Sequence, residues 1–239
     1  MHTVSIILPT YNEANNIVPL IEEIKKNHLA GWRFNIIVVD DNSPDGTFNL
    51  VRDNYSKDKY VNSILRKEDP GLAKSIYEGI LRAKDEKILV MDTDFTHDPK
   101  EIPNLLHICQ IYDIVSGSRF APGGNMSSRR HYIASWMYNI LLRIIIRTQV
   151  QDNLGGFFVI DRLKLLKLPM NKIFFGYGDY YFRLLHYAQI FGLSIIEIPA
   201  FYAARTDGES KSNFFKMFFS YSKAILEFKN DIKKINRDE

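Results

Sequence analysis

Five short runs of β-branched and other apolar residues recur through roughly the first half of the chain: VSIILP (residues 4–9), FNIIVVD (34–40), VNSILR (61–66), KILVMD (87–92) and DIVSGS (113–118). Longer amphipathic stretches separate them. Runs that are apolar without alternation read as strands buried on both faces, and such strands belong to a mostly parallel sheet flanked by helices. The spacing predicts a helix from near Glu13 through IVPLIEEIKKN. A second is expected in GLAKSIYEGILRAK, with Leu72, Ile76, Ile80 and Leu81 on one side, and a third in PKEIPNLLHICQ, opened by Pro99. DNSPDGT, after the second run, is turn chemistry. At 239 residues the chain can bury one sizeable α/β core.

Beyond residue 120 the pattern changes. APGGNMSS reads as a loop, RRHYIASWMYNILLRIIIRTQV as a basic and strongly apolar helix, and DNLGGFFVID as a further strand. DYYFRLLHYAQIFG is expected as a helix, LSIIEIPAF as a strand, and YAARTDGESKS as a loop leading into a closing helix, NFFKMFFSYSKAILEFKNDIKKI. No linker separates a second domain, so residues 1–212 are expected as one unit and 213–239 as an amphipathic helix on it or on a membrane surface. No acid falls between Asp113 and Asp152, whereas Arg119, Arg129, Arg130, Arg143 and Arg147 do. Aromatic and basic residues interleaved in this way pack a core or lie at a lipid headgroup boundary, and both readings stand. A net charge of +3 marks no nucleic-acid binder. The lone Cys109 leaves no internal disulfide and fits a reducing compartment. No signal-peptide pattern opens the sequence and no run is apolar enough to span a bilayer, so a cytoplasmic chain is expected, peripheral to the membrane at most.

In a parallel α/β sheet, ligands bind beyond the carboxyl ends of the strands. Pro9 to Tyr11, Asp40 with Asp41, Asp92 with Asp94, and Ser118 with Arg119 all stand at such ends, so four polar clusters converge on one edge. Asp92 and Asp94 are hard oxygen donors suited to Mg²⁺ or Mn²⁺. Alternatively they are a helix cap and solvated loop acids. Asp40 and Asp41 suit the hydroxyls and ring N–H groups of a nucleoside, although turns use the same residues. His97 abuts the acidic pair and is expected to support it.

VSIILPTYNEANNI, IIVVDDNSPDGT, GLAKSIYEGI, ILVMDTDFTHDPKEIP, SGSRF, GGFFVI and RTDGESKS stand in the order and spacing of family 2 glycosyltransferases of the GT-A fold. Over residues 3 to about 212 the chain most resembles the polyprenol-phosphate glycosyltransferases of that family. The resemblance implies an inverting enzyme that moves a hexose from a nucleotide-sugar donor to a lipid-linked phosphate, with Mg²⁺ or Mn²⁺ as cofactor. It places Pro9, Tyr11, Glu13, Val39 and Asp41 around the nucleoside. Asp92, Thr93 and Asp94 would lie at the metal and diphosphate, and Arg205 and Lys211 would close over the donor phosphates. Arg119, Ser135 and either Arg129 or Arg130 would face the acceptor phosphate. Thr96 replaces the usual Gln, which leaves Asp92 and Asp94 as the metal ligands.

An anionic phosphate acceptor needs no strong base, whereas a sugar hydroxyl does. For that alternative, Asp179 in GYGDYY is the candidate. VMDTDFT also satisfies the DxDxT pattern of haloacid-dehalogenase-type phosphatases. That fold carries its motif on the first strand and needs a later acidic pair, and this sequence has neither arrangement.

Overall fold

The computed structural model describes residues 1–204 together with Ile225 and Phe228. The five expected strands form as β1 (His2–Thr10), β2 (Trp32–Asp40), β3 (Val61–Leu65), β4 (Lys87–Val90) and β5 (Ile114–Ser118). Between them lie α1 (Ile17–Lys26), α2 (Thr47–Tyr55), α3 (Leu72–Arg82) and α4 (Ile102–Ile108), the last preceded by a 3-10 turn at Pro99–Glu101. Asp98 caps that turn by accepting the Lys100 N–H at 3.0 Å. The chain continues through β6 (Asn125–Met126), α5 (Arg129–Ile146), β7 (Phe158–Asp161), α6 (Arg162–Leu165), α7 (Met170–Ile173), α8 (Tyr180–Ile190), β8 (Ile195–Pro199) and β9 (Phe201–Tyr202).

Seven strands make the main sheet, in the order β3-β2-β1-β4-β7-β5-β8. β7 runs antiparallel to both β4 and β5, and the other paired strands are parallel. The chain builds outward from β1 through β2 to β3, then crosses back to place β4 on the other side of β1. The crevice beyond β1 and β4 is therefore the switch point where a doubly wound sheet receives its ligand.

The strands are apolar throughout because both faces are covered. Val4, Ile6 and Leu8 of β1 pack with Ile17, Leu20, Ile21 and Ile24 of α1 and with Ile102 and Leu105 of α4. Ile7 faces the other way, against Ile76 and Ile80 of α3, in a core shared with Leu142, Phe158, Tyr181 and Phe182. Gly79 permits this approach: a Cβ there would stand 2.6 Å from Ile7. Ile225 and Phe228 are buried in the same core, and Phe228 meets the rings of Phe182, His186 and Tyr187.

Several boundaries differ from expectation. α2 follows the DNSPDGT turn in a stretch where no helix is expected, because just Thr47, Val51 and Tyr55 are buried in it and the periodicity is faint. β4 stops at Val90, so Met91 and Asp92 already belong to the turn beyond it. α5 ends at Ile146, where Arg147 takes a left-handed conformation at φ 54°. The expected last strand divides at Ala200 into β8, in the main sheet, and β9, which pairs with β6. Among the described residues no helix is long and apolar enough to cross a membrane.

Candidate active site

The loops after β1 and β2 are stitched together by side chains of the second. Ser43, Asp45 and Thr47 accept the N–H groups of Asn12, Ala14 and Glu13 at 2.9, 2.9 and 3.0 Å. Asp40 is fully buried and spent inside this frame, accepting from the Thr10 hydroxyl at 2.9 Å and from the N–H and hydroxyl of Ser43. It organises the loop and offers nothing to a nucleoside. Asp41, next to it, accepts the Gly71 N–H at 2.7 Å and pairs with Arg66. Arg66 also donates to Ser75 at 2.9 Å and to the Asp69 carbonyl at 2.8 Å. Sequence reading passed over Arg66, although its place directly after β3 put it on the same edge.

Tyr11 stands 49% exposed at the rim. Pro9 and Val39 are buried register partners, so only their main chain can face a ligand. Glu13 accepts from the Asn16 amide at 2.9 Å.

Beyond β4 the turn Asp92–His97 is built around its own side chains. Asp94, buried to 7% exposure, accepts the Thr96 N–H at 3.1 Å and the Thr96 hydroxyl at 2.6 Å. Thr96 therefore fixes Asp94. Thr93 is buried, and its hydroxyl reaches the Pro9 carbonyl at 3.3 Å, bracing the turn to β1. Phe95 is held at φ 62°, a left-handed conformation costly for a bulky residue, on the order of 1–3 kcal/mol. Asn12, Asn42 and Asp69 share that conformation in the loops after β1, β2 and β3. Among the described residues, four of the five positive-φ non-glycine residues thus cluster on one edge, where the rest of the fold over-determines them.

The Asp92 side chain is 45% exposed. Its N–H donates to His97 Nδ1 at 2.9 Å, and the His97 ring is stacked on Phe157 and edge-on to Tyr202. Two carboxylates on one tight turn, both hard donors, fit a Mg²⁺ or Mn²⁺ ion that takes its remaining ligands from phosphate oxygens and water. Among the described residues no third His, Cys, Asp or Glu joins them.

The loop after β5 is basic. Arg119 makes a bidentate pair with fully buried Asp152, Nε to Oδ2 at 2.8 Å and Nη2 to Oδ1 at 2.6 Å, and its main-chain N–H adds a third bond at 3.0 Å. Its guanidinium lies over the rings of Tyr202 and Phe120, at 4.9 and 5.2 Å. Burial first, and the Asp152 charge next, push the Tyr202 phenol well above its usual pKa. Its O–H stays on and donates to the Gly117 carbonyl at 3.2 Å. Asp152 was missed in the sequence, where it stands out as the acid that ends a long acid-free stretch. The first turns of α5 come to this loop. Tyr132 meets Phe120, the Ser127 N–H donates to the Tyr202 carbonyl at 2.9 Å, and Arg129 and Arg130 are exposed at the helix start with Ser135 half-buried beyond them. Arg205 and Lys211 lie outside the described residues.

Asp179 does not offer the accessible carboxylate that a base requires. It is buried, accepts the Tyr177 N–H at 2.7 Å and pairs with fully buried Arg183, which also donates to the Ile173 carbonyl at 3.0 Å. The pair closes the loop before α8, and the carboxylate is spent on it.

Residues 5–168 match the model of the family described as glycosyl transferase family 2. A dolichol-phosphate mannosyltransferase of Pyrococcus furiosus is 31% identical over 97% of this chain and 66% of its own length. An undecaprenyl-phosphate mannosyltransferase of Micrococcus luteus is 30% identical over 86% of this chain and 85% of its own. Among solved structures, glucosyl-3-phosphoglycerate synthase from Mycobacterium tuberculosis, in complex with Mn²⁺, uridine diphosphate and phosphoglyceric acid, superposes with a TM-score of 0.70 at 18% identity. That likeness covers 94% of this chain and 76% of the other, and the fold is the GT-A fold.

Proposed function

We propose a reaction for this chain, which belongs to glycosyl transferase family 2: it transfers a hexose, of the mannose or glucose class, from a nucleoside diphosphate sugar to a polyprenyl phosphate, with inversion. The mannosyltransferases above support that donor and acceptor class. The observation that carries the reading is the convergence of two unlike polar groups on one sheet edge. The Asp92–Asp94 turn lies beyond β4, the Arg119 loop and the start of α5 lie beyond β5, and the edge-to-face rings of His97 and Tyr202 join them.

Pro9, Tyr11, Glu13, Val39 and Asp41 hold the nucleoside, and Asp92, Thr93 and Asp94 frame its diphosphate. Asp92 and Asp94 would hold a Mg²⁺ or Mn²⁺ ion, which would supply positive charge beside the departing diphosphate. Arg205 and Lys211 add to that charge. The acceptor phosphate is held by Arg119 together with Arg129, Arg130 and Ser135, since guanidinium groups match phosphate oxygens in geometry and charge. One phosphate oxygen forms the new bond to the anomeric carbon while the bond to the nucleoside diphosphate breaks on the opposite face. The nucleophile is already anionic, so no base is called on, in keeping with the commitment of Asp179 to Arg183.

Ile133, Trp136, Met137, Leu141 and Ile144 form an exposed apolar face on α5, and Arg129, Arg130, Arg143 and Arg147 flank it. That combination suits peripheral docking on an anionic bilayer, here the cytoplasmic face, where a lipid-linked phosphate is presented. Labelled GDP-mannose, UDP-glucose and UDP-N-acetylglucosamine, each incubated with Mn²⁺ and undecaprenyl phosphate in detergent, test the reaction. One donor should send label into the organic phase. No transfer from any of them, with nucleotide-sugar binding intact, would overturn the lipid-phosphate acceptor.

A further inference from the structure

His97 is a fully enclosed polar side chain at the site. Its side chain has no exposure, its ring stacks on Phe157 at a centroid distance of 4.8 Å and an interplanar angle of 10°, and Tyr202 closes its edge at 4.7 Å. The imidazole cannot reach a bound ion or a substrate. What it does reach is Asp92, at both ends. Nδ1 accepts the Asp92 main-chain N–H at 2.9 Å, so that nitrogen is unprotonated and the ring proton of a neutral imidazole sits on Nε2. Nε2 is buried without a hydrogen-bond partner and stands 3.8 Å from Oδ2 of the Asp92 carboxylate. That distance is too long for a hydrogen bond, and a buried donor left without an acceptor is costly. A shift of about 1 Å by the half-exposed carboxylate would close the gap.

We infer that His97 is the positioning residue of Asp92: Nδ1 sets the turn, and Nε2–H takes one carboxylate oxygen while the other is turned toward a divalent cation. The inference rests on the reading of Asp92 and Asp94 as the cation's ligands. Such outer partners orient a ligand and raise the affinity of the site, and their loss typically costs 10–100-fold in metal binding. The Phe157–His97–Tyr202 stack holds the imidazole in a single orientation. Through Tyr202, whose ring also lies under the Arg119 guanidinium at 4.9 Å, the same stack sets the distance between the acidic turn and the basic loop.

The test is Mn²⁺ binding to the full chain, read by the electron paramagnetic resonance of free Mn²⁺ in the presence of UDP or GDP and without any turnover. Three variants separate the contacts. His97→Phe keeps a stackable ring and removes both bonds; His97→Asn keeps an acceptor near the Nδ1 position; His97→Gln keeps a donor near the Nε2 position. His97→Phe is expected to weaken Mn²⁺ binding 10–100-fold, while nucleotide binding measured without metal stays unchanged. His97→Gln should recover most of the lost affinity and His97→Asn less. Mn²⁺ affinity equal to wild type in His97→Phe would overturn the inference and leave the cation site standing. Should His97→Phe fail to fold, equal affinities in wild type, His97→Asn and His97→Gln would overturn it as well. Wild-type protein that binds no Mn²⁺ beside either nucleotide would remove the cation reading, and the role of His97 with it.

Discussion

At the ends of β1 and β2 the carboxylates of buried Asp40 and exposed Asp45 face hydroxyls and main-chain N–H groups, whereas beyond β5 buried Asp152 and Asp179 face guanidinium groups. Asp40 and Asp45 each accept two or more neutral donors from residues in their own or the adjoining loop. Arg119 with Asp152 and Arg183 with Asp179 are ion pairs buried to within about a tenth of full exposure. Arg66 with Asp41 is the exception in the first region, and it sits nearer the rim. A loop held by many neutral bonds keeps the others when one is cut, at a cost of about 1–3 kcal/mol for a buried group left unsatisfied. A buried ion pair loses heavily, because the surviving charge is stranded in a medium that solvates it poorly. The first region is built to keep its shape under substitution. The second holds its two buried guanidinium groups, Arg119 and Arg183, in place by balancing each against one acid.

Asp152→Ala should break the contrast most sharply. It strands Arg119 and removes the acceptor of its main-chain N–H, so a loss of about 3–5 kcal/mol is expected in urea unfolding. A loss below about 1 kcal/mol would place the pair among ordinary surface bridges. Asp94→Asn should do the reverse, lowering turnover at least about 100-fold while the unfolding midpoint barely moves. Near-normal turnover in that variant would remove Asp94 from the reaction. Asp179→Asn keeps a hydrogen-bonding oxygen for Arg183 but loses the charge, so roughly 1–3 kcal/mol of stability should go. At a temperature where the variant is folded, its turnover should stay within a few-fold of wild type. Abolished turnover in a folded variant that still binds the donor would restore Asp179 as a base and point to a hydroxyl acceptor.

The smallest expected effect concerns His186, which lies against Phe228 and Tyr187. Burial holds its imidazole below the usual pKa of 6.5. The unfolded chain takes up a proton near pH 6.5 that the folded chain resists. The stability tied to His186 is therefore complete above that pH and is lost as pH falls through the folded-state value. In His186→Leu the difference between urea midpoints at pH 7.5 and pH 5.5 should shrink. An unchanged difference would show that His186 accepts its proton in the folded state.

Much of the fold was open to a reader of the sequence, because the signals were local. An apolar run covered on both faces has the same appearance wherever it sits, and residues such as Asp92 or Arg119 follow directly on such runs. α2 was hidden by its few buried positions. The partners of charged groups were harder to read. Asp152 and Arg119 are 33 residues apart, and no periodicity connects them. Asp179 reads in the sequence as the candidate base for a hydroxyl acceptor, and its partner Arg183 stands four residues later, a spacing that brings two side chains together on a helix. That signal was legible and was passed over.

The sequence by itself determined the parallel sheet, the edge to which its polar residues belong, and the kinds of donor gathered there. Strand length, alternation and turn chemistry are properties of neighbouring residues. The tertiary structure decided which of those residues turn inward and which stand toward solvent. Asp40 and Asp179 are enclosed by internal contacts, whereas the Asp92 side chain is 45% exposed beside an enclosed His97. That sorting depends on which groups lose water together, and only the packed chain sets that.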